Sequence, residues 1–347
     1  MTKTTSMTSE DGHVSLILEE LSHTAYACTA LQKLSGGVLN STYRGTLSQC
    51  LADGSSSVII KHSSDVDGIL PGLKLLAARC FREQEVLQAL SNGLSIPVSL
   101  DGFLVRPPLL KHMIPPLHTQ IIEDLEETIA LNDFLRSPAG RDVGPTFAFS
   151  LGYALGRWLE GFHSTTSSGP KDWAERLGEN KPSQQAIFLF YSTSLRRCID
   201  SFSELFAKNG NVVRNILISS NAGPGTQTLV APIDWESCCY GRLDQDLSYL
   251  IADIHIMNEL KELEQGECIL QGLIDGYQIL HGEQPYHTIV YTGIQILARA
   301  TFMAASYPAE EQEALLRFGR DLVIRGRERD LQWLESTPIG YLLTRGH

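Results

Sequence analysis

No stretch of this 347-residue chain is apolar for the roughly 18–20 residues that a membrane-spanning helix needs. The opening "MTKTTSMTSEDGH" is polar and lacks the apolar centre of a secretory signal. Positive charge is also scarce. Twenty-eight Lys and Arg face 40 Asp and Glu, a formal net charge of −12, so the broad basic face of a nucleic-acid or anionic-membrane binder is not expected. The seven cysteines form no CxxC pair, and Cys238 and Cys239 are adjacent, a poor geometry for chelation or an ordinary disulfide. Free thiols in a reducing compartment follow as the expectation, and with them a cytoplasmic location. Cys and His have no zinc-ligand spacing, and neither a GxSxG elbow nor a Ser-His-Asp signature is present. Internal repeats and low-complexity linkers are missing too.

What is present is ordinary globular composition, 43% hydrophobic and 20% charged, in a chain long enough for two lobes. Residues 1–12 read as a disordered tail. "VSLILEELSHTAY" has helical spacing, and "ACTALQKLSGGVLNSTYRGTLSQC" reads as strand, Gly-Gly turn, strand. "VIIK" is a short strand ending in Lys61. "GLKLLAARCFREQEVLQAL" is a helix with Leu73, Leu76, Ala77, Cys80, Val86, Leu87 and Leu90 mostly on one face. "IPVSLDGFLVRPPLL" and "LHTQIIEDL" read as short strands with turns. From "FAFSLGYALGRWLEGFHS" onward the pattern is helical, apart from "VVRNILIS" and "TLVAPIDW", which flank a Gly/Pro-rich turn as a hairpin. The expectation is an α+β, two-lobe fold: an N-lobe over 13–125 and a helical C-lobe over 126–347 carrying a hairpin at 208–235. Ligand sites are favoured in the cleft of such an arrangement.

Four features carry candidate chemistry. Gly36 and Gly37 would let backbone N–H groups approach a phosphate, although a plain hairpin turn also explains them. Lys61 ends a strand, where kinase folds keep a lysine that contacts phosphate and pairs with a helix glutamate; Glu83 would be that partner with Glu85 as runner-up, and a solvated strand end is the bland alternative. Asn215 and Asp234, nineteen residues apart across a hairpin, would offer oxygens to Mg²⁺; capping or an ion pair would equally occupy Asp234. Asp246 reads as a structural or helix-capping residue. His163 reads as structural and His255 as packed or solvated, while His281 and His287 have no companion acidic cluster.

In serial order, "LSGGVLNSTYRG" (34–45), "VIIKHS" (58–63), "RCFREQEVL" (79–87), "IIEDL" (121–125), "LGRWLEGFH" (155–163), "NIL" (215–217) and "IDWESCCYGRLDQDL" (233–247) resemble the aminoglycoside phosphotransferase and choline-kinase-like superfamily. The likeness is to its fungal kinase-like branch and spans about residues 15–335. It implies a protein-kinase-like fold and ATP with Mg²⁺ acting on a small molecule. Gly36, Gly37 and Asn40 would belong to the phosphate loop, Lys61 would hold phosphates, and Glu83 would orient it. The segment Ile122–Leu125, Glu123 included, would face the adenine, and Asn215 and Asp234 would bind magnesium.

The chain departs from that pattern at one point. Members carry "HGD", four further residues and then the Asn. Here "KNGNVVRN" places Gly210 at the base position, or Asn211 if slid by one, and neither takes a proton. The catalytic loop is degenerate in either register, so the catalytic residue is unassigned. Three readings stay open: a repurposed or pseudo-kinase using its Mg²⁺-phosphate or diphosphate cleft on a small molecule; an active hydroxyl kinase with an unusual base such as Glu236 or Asp244; and a non-enzymatic interaction protein keeping only the fold. Oligomeric state is not legible.

Overall fold

The computed structural model describes residues 9–35, 40–67, 74–94, 97–168, 180–181, 184, 215–238, 242–302 and 308–344. The chain divides into two units. The first comprises residues 1–91 and 108–126, the second 92–107 and 127–347. The fold is α+β, with two five-stranded sheets and a helix-rich second unit.

The first unit begins with α1 (Ser9–Leu21), so the helix starts inside the stretch read as a tail, and the "TAY" of the predicted helical segment lies beyond its end. Strands β1 (Cys28–Lys33), β2 (Asn40–Leu47) and β3 (Ser57–Ser63) follow. After a small ladder of β4 (Val66–Asp67) and β5 (Lys74–Leu75) comes α2 (Arg79–Ala89). The predicted helix over this region therefore starts later than its apolar spacing suggests. Lys74 and Leu75 are taken up in strand pairing, and Asp65 accepts the Ala77 N–H at 2.7 Å, ahead of the helix. Leu73 lies outside the described residues.

In the second unit β6 (Val98–Leu100) and β7 (Phe103–Val105) come first, and the chain then returns to the first unit for β8 (Leu110–Ile114) and β9 (Thr119–Glu123). The first sheet has the order β1-β2-β3-β9-β8, with every pair antiparallel. Period-2 alternation turns Val58 and Ile60 of β3 to one face. There they bury with Ile17 and Leu21 of α1, Tyr43 and Ile121. Glycine at position 45 leaves room for this packing, since a Cβ would come within 2.7 Å of the Cys28 sulfur and 2.8 Å of the Ile60 side chain, which would have to shift.

The second unit continues with β10 (Thr128–Ala130), α3 (Leu131–Arg136), α4 (Pro138–Arg141) and the long α5 (Pro145–Ser168). The predicted hairpin forms as β11 (Asn215–Ser219) and β12 (Thr228–Ile233), antiparallel with Asn215 opposite Ile233. The second sheet runs β10-β11-β12-β7-β6, and β12 pairs with β7 in parallel. Residues 92–107 thus belong to the second unit's sheet, although contiguous reading places them in the first lobe. Helices α6 (Leu243–Glu259), α7 (Gly266–Gly276), α8 (Gln284–Phe302), α9 (Ala309–Glu328) and α10 (Leu331–Glu335) complete the described elements. Helices α5 and α7 touch backbone to backbone: a Cβ on Gly156 would fall inside 3 Å of the Leu273 carbonyl oxygen, and one on Gly272 inside 3 Å of that of Phe149. No described helix is long and apolar enough to cross a membrane.

Candidate functional site

In the first unit, strand alternation sends Lys61 to the face of β3 opposite α1, and α2 presents Glu83 to it. The Lys61 ammonium lies 2.7 Å from Glu83 Oε2 with both side chains buried. Burying an ion pair costs desolvation that only good geometry offsets, so such a pair is weak evidence for stability and better evidence for a task. Glu85, the alternative partner, points to the exposed side of α2 and meets Arg82 at 3.4 Å. Gln120 of β9 stands opposite Lys61 in the ladder and donates to the Cys80 carbonyl at 3.2 Å, which fastens α2 to the sheet. The Asn40 oxygen accepts from Ser63 Oγ at 2.8 Å and from Arg79 at 2.7 Å, so it ties β2 to β3 and to the start of α2. The Glu123 carboxylate accepts the Leu109 N–H at 3.0 Å. Gly36 and Gly37 lie outside the described residues.

In the second unit, the register that puts Asn215 opposite Ile233 brings its amide to the next residue. Asn215 Nδ2 donates to Asp234 Oδ2 at 2.6 Å. Asp234 has φ +68°, a left-handed conformation that non-glycine residues adopt at a cost and that concentrates at working sites. The single helical turn Trp235–Ser237 follows. Trp235 packs against Phe162 and Trp158 of α5, with ring centroids 5.5 and 6.1 Å away, and so anchors the turn. Glu236 is buried, and its carboxylate and that of Asp234 offer oxygens within 4.8 Å of each other. Two carboxylates and a side-chain amide are the hard oxygen donors that Mg²⁺ takes, with water and phosphate oxygens filling its other positions. The donor set therefore fits that ion.

The other acidic residues of this region are committed elsewhere. Asp244 accepts both arms of the Arg242 guanidinium, Nε at 3.0 Å and Nη2 at 2.5 Å, at the start of α6. Asp246 receives His163 Nε2 at 3.0 Å, and His163 Nδ1 meets the Tyr277 hydroxyl at 2.7 Å, all three buried. Burial, and next the nearby Asp246 charge, push the Tyr277 hydroxyl well above its usual range, so it stays protonated. Asp246 and His163 thus join α5, α6 and α7. Tyr277 carries no motif and was visible in the sequence only as an aromatic after α7. Gly210 and Asn211 lie outside the described residues.

A phosphotransferase named FrzJ from a Cladobotryum species is 28% identical over 378 positions, which cover 96% of this chain and 97% of the relative. A 4-hydroxytryptamine kinase from Psilocybe cubensis is 19% identical over 295 positions, 77% of this chain and 79% of the relative. No protein-family model matches. Among solved structures, choline kinase from Cryptosporidium parvum superposes with a TM-score of 0.50 at 10% identity, covering 95% of this chain and all of that one. The chain is thus similar along nearly its whole length to a fungal phosphotransferase and has the kinase-like fold of that choline kinase. The serial motifs of this chain fall on elements that bring Lys61 to Glu83 in one unit and Asn215 to Asp234 in the other.

Proposed function

We propose that this protein is a Mg²⁺- and ATP-dependent phosphotransferase acting on a hydroxyl group of a small molecule. The buried Lys61–Glu83 pair at 2.7 Å carries the reading, because packing alone gives no reason to bury it. Support comes from the Asn215–Asp234 contact with Glu236 beside it, and from a relative named as a phosphotransferase along nearly its whole length. Lys61, oriented by Glu83, holds nucleotide phosphates. The main chain of Ile122–Leu125 receives the adenine. Asn215, Asp234 and Glu236 hold the metal, and Asp234 is the indispensable member. Bound Mg²⁺ supplies charge neutralisation at the phosphate oxygens. In the reaction the acceptor oxygen bonds to the γ-phosphorus, the bond from that phosphorus to the β–γ bridging oxygen breaks to release ADP, and the hydroxyl proton passes to solvent.

No carboxylate occupies the position where the family keeps its base. A positioned base contributes about 10²–10⁴-fold, whereas phosphoryl transfer is catalysed mainly by positioning and electrostatics. Transfer that is slow by that factor is the consequence. The family's motif register, which puts Gly210 or Asn211 at that position, also favours the second reading, a nucleotide- or diphosphate-binding protein that does not transfer phosphate.

Calorimetric titration of ATP with and without Mg²⁺, into wild type, Asp234→Ala and Lys61→Met, tests the site. Magnesium-dependent binding that Asp234→Ala abolishes and Lys61→Met weakens is expected. ADP release driven by a hydroxylated amine then separates the two readings. Absence of binding at millimolar ATP would reject ATP-dependent transfer and nucleotide binding, and turn attention to a repurposed cleft, with diphosphate and nucleotide-free small molecules as the next ligands.

A further inference from the structure

The chain leaves the first unit just after β9, and the residues there are braced by side chains from two other strands. Asp124 is the first residue past β9, and its carboxylate is 2% exposed. It accepts Arg44 Nε at 2.6 Å, Arg44 Nη2 at 3.0 Å and the Ser57 hydroxyl at 2.7 Å. Arg44 stands opposite Ile59 of β3, and Ile59 stands opposite Ile122 of β9, so the guanidinium reaches across the middle strand. On the other flank, the Glu123 N–H donates to the Leu109 carbonyl at 2.8 Å and the Glu123 carboxylate accepts the Leu109 N–H at 3.0 Å. The main chain at 123–124 is therefore held from β2, from β3 and from the approach to β8.

An exposed ion pair adds little to stability. This one is a two-pronged guanidinium–carboxylate fork on a buried carboxylate, and a fork of that kind fixes geometry as well as adding energy. What it fixes is the short stretch that the phosphotransferase reading assigns to the nucleobase, and the inference rests on that reading. We infer that Arg44 and Asp124, assisted by Ser57, form a clamp that sets the main chain from Glu123 to Leu125 as a nucleobase-reading edge. Arg44 is a positioning residue: it acts through Asp124 on the base and has no part in holding phosphate, metal or acceptor.

Two probes separate that role from a general structural one: Mg²⁺·ATP, and Mg²⁺ with inorganic tripolyphosphate, which carries the phosphates without a base. Arg44→Ala is expected to weaken ATP binding about tenfold, the worth of roughly one hydrogen bond to the base, and to leave tripolyphosphate binding unchanged. Arg44→Lys, which keeps the charge but loses the fork, and Ser57→Ala should each give a smaller loss confined to ATP. These two variants carry the test if Arg44→Ala does not fold. Wild type that binds ATP while the variants keep full ATP affinity, or lose both probes in parallel, overturns the clamp alone. Wild type that binds neither probe overturns the phosphotransferase reading and the clamp with it.

Discussion

His255 shows what a single side chain contributes away from any site. It lies buried on α6 with its ring centroid 4.4 Å from that of Phe318, and neither ring nitrogen has a hydrogen-bond partner. Burial pushes its pKa down to about 4, against about 6.5 in an unfolded chain. Between those values the unfolded chain takes up a proton that the folded one refuses, so stability falls as pH drops from about 6.5 to 4, by about 3 kcal/mol in all. Thermal melts of wild type and His255→Leu at pH 7.5 and 5 should show a smaller acid loss in the variant; equal losses would contradict this account. Glu236 makes a second expectation. With Asp234 it puts two carboxylates within 4.8 Å, so Glu236→Gln should raise the Mg²⁺ concentration for half-maximal ATP binding, by about tenfold, the loss of one charged ligand. At this scale the sequence was informative where a motif names a residue. Lys61 and Glu83 were legible as partners through the kinase-fold pattern of a strand lysine and a helix glutamate, with Glu85 left as the runner-up. The Arg44–Asp124 fork was not, because its members lie 80 residues apart, in two separate motifs that nothing in the sequence pairs.

Among the elements, the α5–α7 contact depends on glycine at both faces. Gly156→Ala would place a methyl inside 3 Å of the Leu273 carbonyl, and overpacking of this kind costs about 1–3 kcal/mol or more. Chemical denaturation should show a lower midpoint with an unchanged slope; a neutral variant would mean that the helices can separate freely. The "LGRWL" segment shows the glycine, but a glycine inside a helical pattern does not say which helix it admits. Local pattern served better where neighbours in sequence are neighbours in space. The pairings of β11 with β12 and of β1 with β2 were readable for that reason. The start of α2 was not, because β4–β5 pairing claims residues whose apolar spacing suits a helix equally well. Nor was the place of β6 and β7, whose parallel partner β12 comes more than a hundred residues later.

At the level of the whole molecule, each unit has a sheet of its own, and the first has a core closed by α1 through Ile17 and Leu21. Two-state unfolding is not expected of such a chain. Scanning calorimetry should give a van't Hoff enthalpy below the calorimetric one, and Leu21→Ala, a buried truncation worth about 2–5 kcal/mol, should lower one component of the transition. A single transition with equal enthalpies would count against independent units. The order α+β, strand-rich first and helical afterwards, was legible because strand and helix periods differ; which strand belongs to which unit was not. That interleaving has a bearing on synthesis. β7 leaves the ribosome long before β12, its parallel partner, exists. At about 5–20 residues per second, the β6–β7 hairpin waits for roughly six seconds or longer with one edge unpaired, and an open edge is where chains pair wrongly. The first unit can finish during that interval, but the nascent protein must carry an unfinished strand edge through it. Slowing translation between residues 105 and 228 would lengthen the time that edge stays open to a chaperone or to another chain.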